Sequence, residues 1–134
     1  MKRTYDDAPK LLKDYLVYLQ IVKNRSELTV LNYYTDLRLF FRFYKIKTGR
    51  ASDDPKEFQN ISIADITESD IKSVDLMMAQ DFLIYTKNEK DNHPKARYRK
   101  GVALRQFFKY LTNNKPLFEV SPLANLELPT PKAA

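Results

Sequence analysis

Residues 26–47 read SELTVLNYYTDLRLFFRFYKIK, and this stretch predicts a long helix over Glu27–Lys47. Ser26 is a good N-cap because its hydroxyl accepts a free amide proton of the first turn, and Gly49 is a suitable C-terminal stop. One apolar face carries Val30, Tyr33, Tyr34, Leu37, Phe41 and Tyr44, and a second carries Leu28, Leu31, Leu39 and Ile46. A helix that is apolar on two sides is typical of the centre of a bundle.

Three further main helices are predicted around this one. The first begins near Ala8 and Pro9, stops around Lys23 to Arg25, and places Leu12, Tyr15, Leu16, Leu19 and Val22 at helical spacing. The third follows the N-cap Asp75 and ends between Lys87 and Asp91; its apolar stripe is Met78, Phe82 and Tyr85, with Leu76, Ala79 and Leu83 beside it. After a turn at Asn92, His93 and Pro94, the fourth runs from Lys95 to Asn113 with Leu104, Phe107, Phe108 and Leu111 towards the core.

The segments between and after these helices are irregular. Residues 50–60 are typical of a loop, and for residues 61–74 we expect short helical turns or an extended linker, although Ile61, Ile63 and Ile66 alternate like a short strand. Prolines interrupt the C-terminal stretch, where Leu123, Leu126 and Leu128 are expected to fold back on the domain. We therefore predict one all-α domain over residues 1–128, with 129–134 beginning a linker.

Composition excludes several classes of site. The chain has 134 residues and no Cys, so disulfides and thiolate metal sites are ruled out. The single histidine, His93, excludes a multi-His zinc site and is expected to be a loop residue before a helix. No apolar stretch is long enough to span a membrane, so a soluble cytoplasmic protein without cofactor is the expectation.

The net charge of +6 favours a polyanionic partner, and the cations are unevenly distributed. No Asp or Glu occurs over residues 92–118, which hold Lys95, Arg97, Arg99, Lys100, Arg105, Lys109 and Lys115. Residues 53–91 are acidic, whereas the first third is basic again through Lys23, Arg25, Arg38, Arg42, Lys45 and Lys47. One side of the molecule is therefore predicted to be positive and another negative.

The fourth helix is predicted to carry an outward basic face. At 100° per residue, Lys95, Arg99, Arg105 and Lys109 fall opposite the apolar residues. Arg97 and Lys100 lie nearer the apolar side, but at the N-terminal end, where they are expected to project past the core. Arginine and lysine at the start of a helix suit phosphate or guanine contacts in a major groove, although such a charged run is commonly only a solvated face.

Two segments resemble the core-binding domain of tyrosine recombinases of the phage-integrase family. Ser26, Thr29, Tyr33, Asp36-Leu37 and Phe40 follow that domain's second-helix pattern, and Leu104-Arg105-x-Phe107-Phe108-x-Tyr110-Leu111, after the basic Arg99-Lys100, follows its fourth-helix pattern. Ser121-Pro122-Leu123-Ala124-Asn125-Leu126, with Pro129 and Lys132, is similar to the exit segment before the catalytic domain. Ser121 replaces the usual Asn, and Gly101 stands where an apolar residue is expected.

The resemblance implies a four- to five-helix bundle that forms half of a C-shaped clamp on double-stranded DNA. It implies sister recombinase protomers as partners and a catalytic domain elsewhere in a longer protein, so no tyrosine here is predicted to be catalytic; alone, the domain is expected to be monomeric. The predicted DNA contacts are Arg25, Ser26, Thr29, Asn32 and Tyr33 in the second helix region, and Lys95, Arg97, Tyr98, Arg99, Lys100 and Arg105 in the fourth.

A protein-interaction module is the alternative function. It rests on the second apolar face of the helix at 27–47 and on the acidic middle third, and predicts association through Leu28, Leu31 or Leu39. An enzyme is disfavoured because no phosphate loop, metal cluster or nucleophile–base pair is recognisable.

Overall fold

A computed structural model describes residues 5–88 and 93–128, and these residues form helices and turns without a strand. The elements are α1 (Lys10–Val17) continued by a π turn (Tyr18–Val22), α2 (Glu27–Lys47), a 3-10 turn (Phe58–Asn60), α3 (Glu68–Lys72), α4 (Leu76–Lys87) and α5 (Pro94–Asn113). The all-α prediction is confirmed, and the third and fourth predicted main helices are α4 and α5. Asn92 of the predicted turn and the predicted linker 129–134 lie outside the described residues.

The chain divides into two compact units, Met1–Glu68 and Ser69–Ala134. The first holds α1, the π turn, α2 and the 3-10 turn. The second holds α4, α5 and the segment that follows them. No helix in the described part of the chain is both long enough and apolar enough to cross a bilayer.

The boundaries predicted for α2 are confirmed by its caps. Ser26 Oγ accepts a hydrogen bond from the Thr29 amide at 3.1 Å and donates one to Thr29 Oγ1 at 3.0 Å. At the other end Gly49 has φ +76°, a left-handed conformation that glycine adopts without a Cβ penalty. Capping side chain and stop residue therefore select the same ends that the sequence predicts.

The first predicted apolar face of α2 is buried together with additional residues, whereas the second predicted face is only partly buried. Five of the six residues of the first predicted face are buried and Tyr33 is half-buried; the buried members are Val30, Tyr34, Leu37, Phe41 and Tyr44, joined by Phe40 and Phe43. On the second predicted face Leu31, Leu39 and Ile46 are half-buried. Leu28 is 63% exposed and does not extend the buried side, because it lies in the first turn within the exposed run of residues 20–28.

The π turn changes which residues of the first helix reach the core. Leu12, Tyr15, Leu16 and Leu19 are buried, whereas Val22, which continues the same helical spacing in the sequence, is 67% exposed. The Lys23 amide bonds to the Tyr18 carbonyl at 3.1 Å, five residues back, where an α-helix would use the residue four back. The wider turn takes up one more residue and rotates Val22 away from the core.

Tyr5 and Asp7, which precede α1, contact α2. The rings of Tyr5 and Tyr34 lie 4.7 Å apart, and the Tyr34 hydroxyl donates to the Asp7 carboxylate. Burial and this hydrogen bond raise the pKa of Tyr34 to about 12. Pro9 is the N-cap of α1, one position before the first helical turn in which it was predicted.

The predicted loop at residues 50–60 ends in a 3-10 turn at Phe58–Asn60, and residues 61–74 contain the short helix α3, in agreement with the short helical turns predicted there. The buried residues of this stretch are Ile61, Ile63, Ile66, Ile71 and Val74, and no strand forms where the first three isoleucines alternate.

In the second unit both long helices have side-chain caps. Asp75 Oδ1 accepts from the Met78 amide at 2.9 Å at the start of α4. His93 Nδ1 accepts from the Lys95 amide at 3.1 Å, and Pro94 occupies the first position of α5, one residue before the predicted start. His93 is thus the N-cap of α5 and lies just before it, where a loop residue was expected.

The core of the second unit contains the apolar residues that the sequence predicts. In α4 Ala79, Phe82 and Leu83 are buried, while Met78 and Tyr85 are half-buried. The four predicted α5 core residues are all buried, and so are two of the three leucines of the C-terminal stretch; they are Leu104, Phe107, Phe108, Leu111, Leu123 and Leu126. The C-terminal stretch therefore belongs to this core and is not a free tail.

The π turn yields a stability test at two neighbouring positions. Leu19→Ala should lower the free energy of unfolding by about 2–4 kcal/mol because Leu19 is 4% exposed. Val22→Ala should change it by less than about 0.5 kcal/mol, because the side chain is already in water. Urea unfolding of the two variants measures both values, and a cost of about 1–2 kcal/mol at Val22 would indicate a regular α-helix there instead.

Candidate nucleic-acid interface

The outer face of α5 is basic. Lys95, Arg99, Arg105 and Lys109 are all exposed, and on the helix they lie opposite the buried Leu104, Phe108 and Leu111. The predicted outward orientation of these four cations is confirmed. From Lys95 to Lys109 the face extends for about 21 Å along the helix axis, at about 1.5 Å per residue.

Uncharged polar residues accompany the cations on this face. Tyr98, 38% exposed, and the exposed Gln106 add hydrogen-bonding side chains beside the cations. A cationic surface with polar neighbours of this kind can bind phosphate and also reach base edges.

Lys100 departs from the prediction. Lys100 is only 6% exposed, so the prediction that its side chain projects past the core is wrong. The reason is its place on the helix: Lys100 lies one turn before the buried Leu104 and shares that side of α5. Arg97 is half-buried at the edge of the same side. The surface formed by Lys95, Tyr98, Arg99, Arg105 and Lys109 is called the basic face below.

The start of α2 places the other predicted contact residues in the first unit. Arg25 and Ser26 are exposed, whereas Thr29, Asn32 and Tyr33 are half-buried. The hydroxyls of Ser26 and Thr29 bond to each other, so Ser26 is occupied as a cap. The Tyr33 ring meets Tyr15 edge-on at a centroid distance of 6.0 Å, and burial raises the pKa of Tyr33.

Two cations that the sequence placed on the basic surface of the first third are buried. Arg42 Nε donates to the Ile61 carbonyl at 2.9 Å and its Nη2 to the Gln59 carbonyl at 3.1 Å. Lys45 Nζ donates to the Ser62 carbonyl at 2.9 Å and to Asp65 Oδ1 at 2.8 Å. Both cations therefore hold the loop after α2 and are not available to a ligand.

The sequence carries a signal for this burial that the charge count misses. Arg42 and Lys45 alternate with aromatic residues in the run Phe40–Lys45, and all six residues of that run are buried. Arg38 is likewise engaged, because its guanidinium lies 4.8 Å from the centroid of the Tyr34 ring. Of the cations on α2, only Lys47 at its last turn is exposed.

Comparison with known proteins identifies the family to which this chain belongs. Residues 12–115 match the family described as phage integrase, N-terminal SAM-like domain, and the chain belongs to that family. Among curated proteins it is similar to the tyrosine recombinase XerC of Caldanaerobacter subterraneus subsp. tengcongensis, with 40% identity over 121 residues. That alignment covers 90% of this chain but 34% of the relative, so the chain spans about a third of its length. No solved structure matches significantly.

The loop network gives a prediction about pH. The hydrogen bond from Lys45, assisted by Arg50, holds the pKa of Asp65 below its ordinary value. A lowered carboxyl pKa stabilises the fold above the ordinary value, and this contribution is lost as pH falls through the lowered one. Asp65→Asn should therefore reduce stability at pH 7 and flatten its decline towards about pH 3. Urea unfolding at several pH values measures this.

Asp53→Asn is the matched control, because Asp53 is an exposed aspartate of the same loop. Equal pH profiles for Asp65→Asn and the unmodified chain would show that the Lys45–Asp65 pair contributes nothing to stability.

Proposed function

We propose that this chain is the DNA-binding module of a site-specific tyrosine recombinase, and that the basic face of α5 contacts duplex DNA. Membership of the phage-integrase SAM-like family supports a role in recombination. The observation that carries the proposal is the exposed basic face in a stretch without any Asp or Glu between residues 92 and 118. A surface evolved only for solubility mixes both signs of charge.

The dimensions of the basic face suit a DNA groove. The major groove is about 12 Å wide and admits an α-helix, and the duplex carries a phosphate charge about every 1.7 Å along its axis. A helix face about 21 Å long therefore passes several phosphates. In this proposal Lys95 and Lys109 contact phosphates at the two ends, while Arg99 and Arg105 reach phosphates or guanine edges between them.

The start of α2 is proposed as a second contact region. Arg25 would neutralise a phosphate, and Asn32 and Thr29 would supply hydrogen bonds to the backbone or to a base. Tyr33 would contribute at most its hydroxyl, since its ring packs on Tyr15. Ser26 acts through the cap that fixes this helix end.

The strand-cleavage chemistry is assigned outside this chain in the proposal. The related recombinase is about three times as long as the aligned segment, and we assign no catalytic residue to the part that is shared. The role of this module would be affinity and register on the recombination site, with sister recombinase protomers as further partners.

A salt series tests the basic face directly. Each phosphate contact contributes about 0.9 to the slope of log K against log salt. Arg105→Ala and Lys109→Ala should each weaken binding to a labelled duplex and reduce that slope by about 1, with stability changed by less than about 0.5 kcal/mol. Fluorescence anisotropy across salt concentrations gives the slopes, and urea unfolding gives the stabilities.

Two controls accompany this series. Lys56→Ala removes an exposed cation from the loop of the first unit and should leave the slope unchanged. Arg42→Ala should lower the free energy of unfolding by about 2 kcal/mol, because it removes a buried charged hydrogen-bond donor, while the folded protein keeps the slope. Equal slopes for Arg105→Ala and Lys56→Ala would sink the proposed interface. An absence of salt-dependent binding would favour the alternative, protein contact through exposed apolar residues such as Leu28.

The α2 region makes a different prediction because Asn32 is uncharged. Asn32→Ala should leave the salt slope unchanged but reduce the preference for the recombination site over a scrambled duplex by about tenfold, if its amide reads a base. Arg25→Ala should reduce the slope by about 1 and leave the preference nearly intact. Competition binding with the two duplexes separates the effects. Asn60→Ala, at an exposed asparagine of the loop, is the control, and an equal loss of preference there would refute base reading by Asn32.

A further inference from the structure

Gly101 leaves a notch in the side of α5 that another residue fills. A Cβ added to Gly101 would lie 2.4 Å from Leu128 Cδ2 and 3.8 Å from Leu83 Cδ1. The first distance is too short for any real Cβ contact. The end of the Leu128 side chain therefore occupies the place where a side chain at position 101 would begin.

The segment that ends in Leu128 runs back along α5. The Lys115 amide bonds to the Tyr110 carbonyl at 3.3 Å and the Leu117 amide to the Leu111 carbonyl at 2.8 Å. Phe118 then lies against Phe108, with ring centroids 5.8 Å apart. Leu123 and Leu126 are buried farther along, and Leu128 reaches Gly101. The chain thus returns from the end of α5 at Asn113 to a point about 18 Å closer to its start.

That point adjoins the basic face. Gly101 lies four residues after Arg97 and four residues before Arg105, and residues four apart are neighbours on a helix surface. Arg105 belongs to the basic face, and Arg97 lies half-buried at the edge of the core. Leu128 is therefore seated at the helix position between the two arginines.

We propose that Gly101 is a positioning residue: its notch seats Leu128 between Arg97 and Arg105, so that Leu128 is held beside the basic face of α5. The contact between Gly101 and Leu128, called the seat below, does not depend on any ligand. Its meaning for DNA binding rests on the proposed function. In a longer recombinase, the part that follows would begin at the DNA-contacting side of α5 and not at the far end of the helix.

A double-mutant cycle tests the seat without DNA. Gly101→Ala and Leu128→Ala should each speed hydrogen exchange at the Leu126 amide, which bonds to the Leu123 carbonyl at 3.1 Å, by about tenfold. In the double variant the added methyl no longer meets Leu128 Cδ2. Gly101→Ala should therefore not speed exchange at the Leu126 amide beyond the rate of Leu128→Ala alone. Loss of the whole fold is not expected from Gly101→Ala, because alanine has the higher helix propensity.

Val120→Ala is the matched control, since Val120 lies in the same segment and is 75% exposed. It should leave exchange at Leu126 unchanged. Effects of Gly101→Ala and Leu128→Ala that simply add, or an unchanged exchange rate in Gly101→Ala, would overturn the seat.

Proteolysis tests whether residues 127 and 128 lie beside the basic face of α5. Glu127 is exposed next to Leu128, so a glutamate-specific protease should cleave after it, and an added duplex should slow that cleavage in the unmodified chain but not in Gly101→Ala. If the duplex binds without slowing cleavage, the proposed position of Leu128 beside the basic face is wrong. A duplex that does not bind would overturn the proposed function, while a non-additive cycle would still support the seat.

Discussion

The burial of an unbroken run of six residues on α2, Phe40–Lys45, is the constraint on which the first unit depends. A run of this length covers every side of the helix, so Arg42 and Lys45 enter the interior together with the aromatic rings. Buried charges are tolerated only when hydrogen bonds replace their water. The carbonyls of Gln59, Ile61 and Ser62 provide those bonds, and in doing so they fix the loop that follows α2.

This requirement explains why the loop can be ordered without regular structure. Its isoleucines are buried and its carbonyls point at the two cations, so each side of the loop has a partner. No buried side-chain nitrogen or oxygen in the described residues lacks a hydrogen-bond partner. Asp65 closes the arrangement from the solvent side through Lys45 and Arg50, which accounts for its lowered pKa. The same cations counted as surface charge in the sequence are therefore structural cross-links.

What the sequence could predict was decided by local chemistry. Ser26, Gly49 and Asp75 set helix ends through contacts within a few residues, and those ends are confirmed. The exposure of Val22 could not be read from its helical spacing, because the π turn depends on a backbone bond from Lys23 to Tyr18, and Asn24 follows it with φ 53°. The 100° wheel assumes a regular helix and carries no information about an inserted residue. The exposure of Leu28 was likewise not evident from the sequence, because apolar spacing does not show whether another element covers a helix end.

The sequence predicts the basic face of α5 correctly for those cations that lie on the side of the helix opposite its apolar residues. Lys95, Arg99 and Arg105 are exposed on one face of α5 as the wheel indicates, whereas Lys100 shows that the N-terminal end of a helix does not free every cation there. Keeping Arg105 and Lys109 four residues apart on one face is unfavourable for an isolated helix, because like charges at that spacing repel. Burial of Phe107, Phe108 and Leu111 offsets this cost within the second unit, since packing and not helix propensity provides most helical stability in proteins. A helix held by its apolar side can therefore carry several exposed cations along the opposite side.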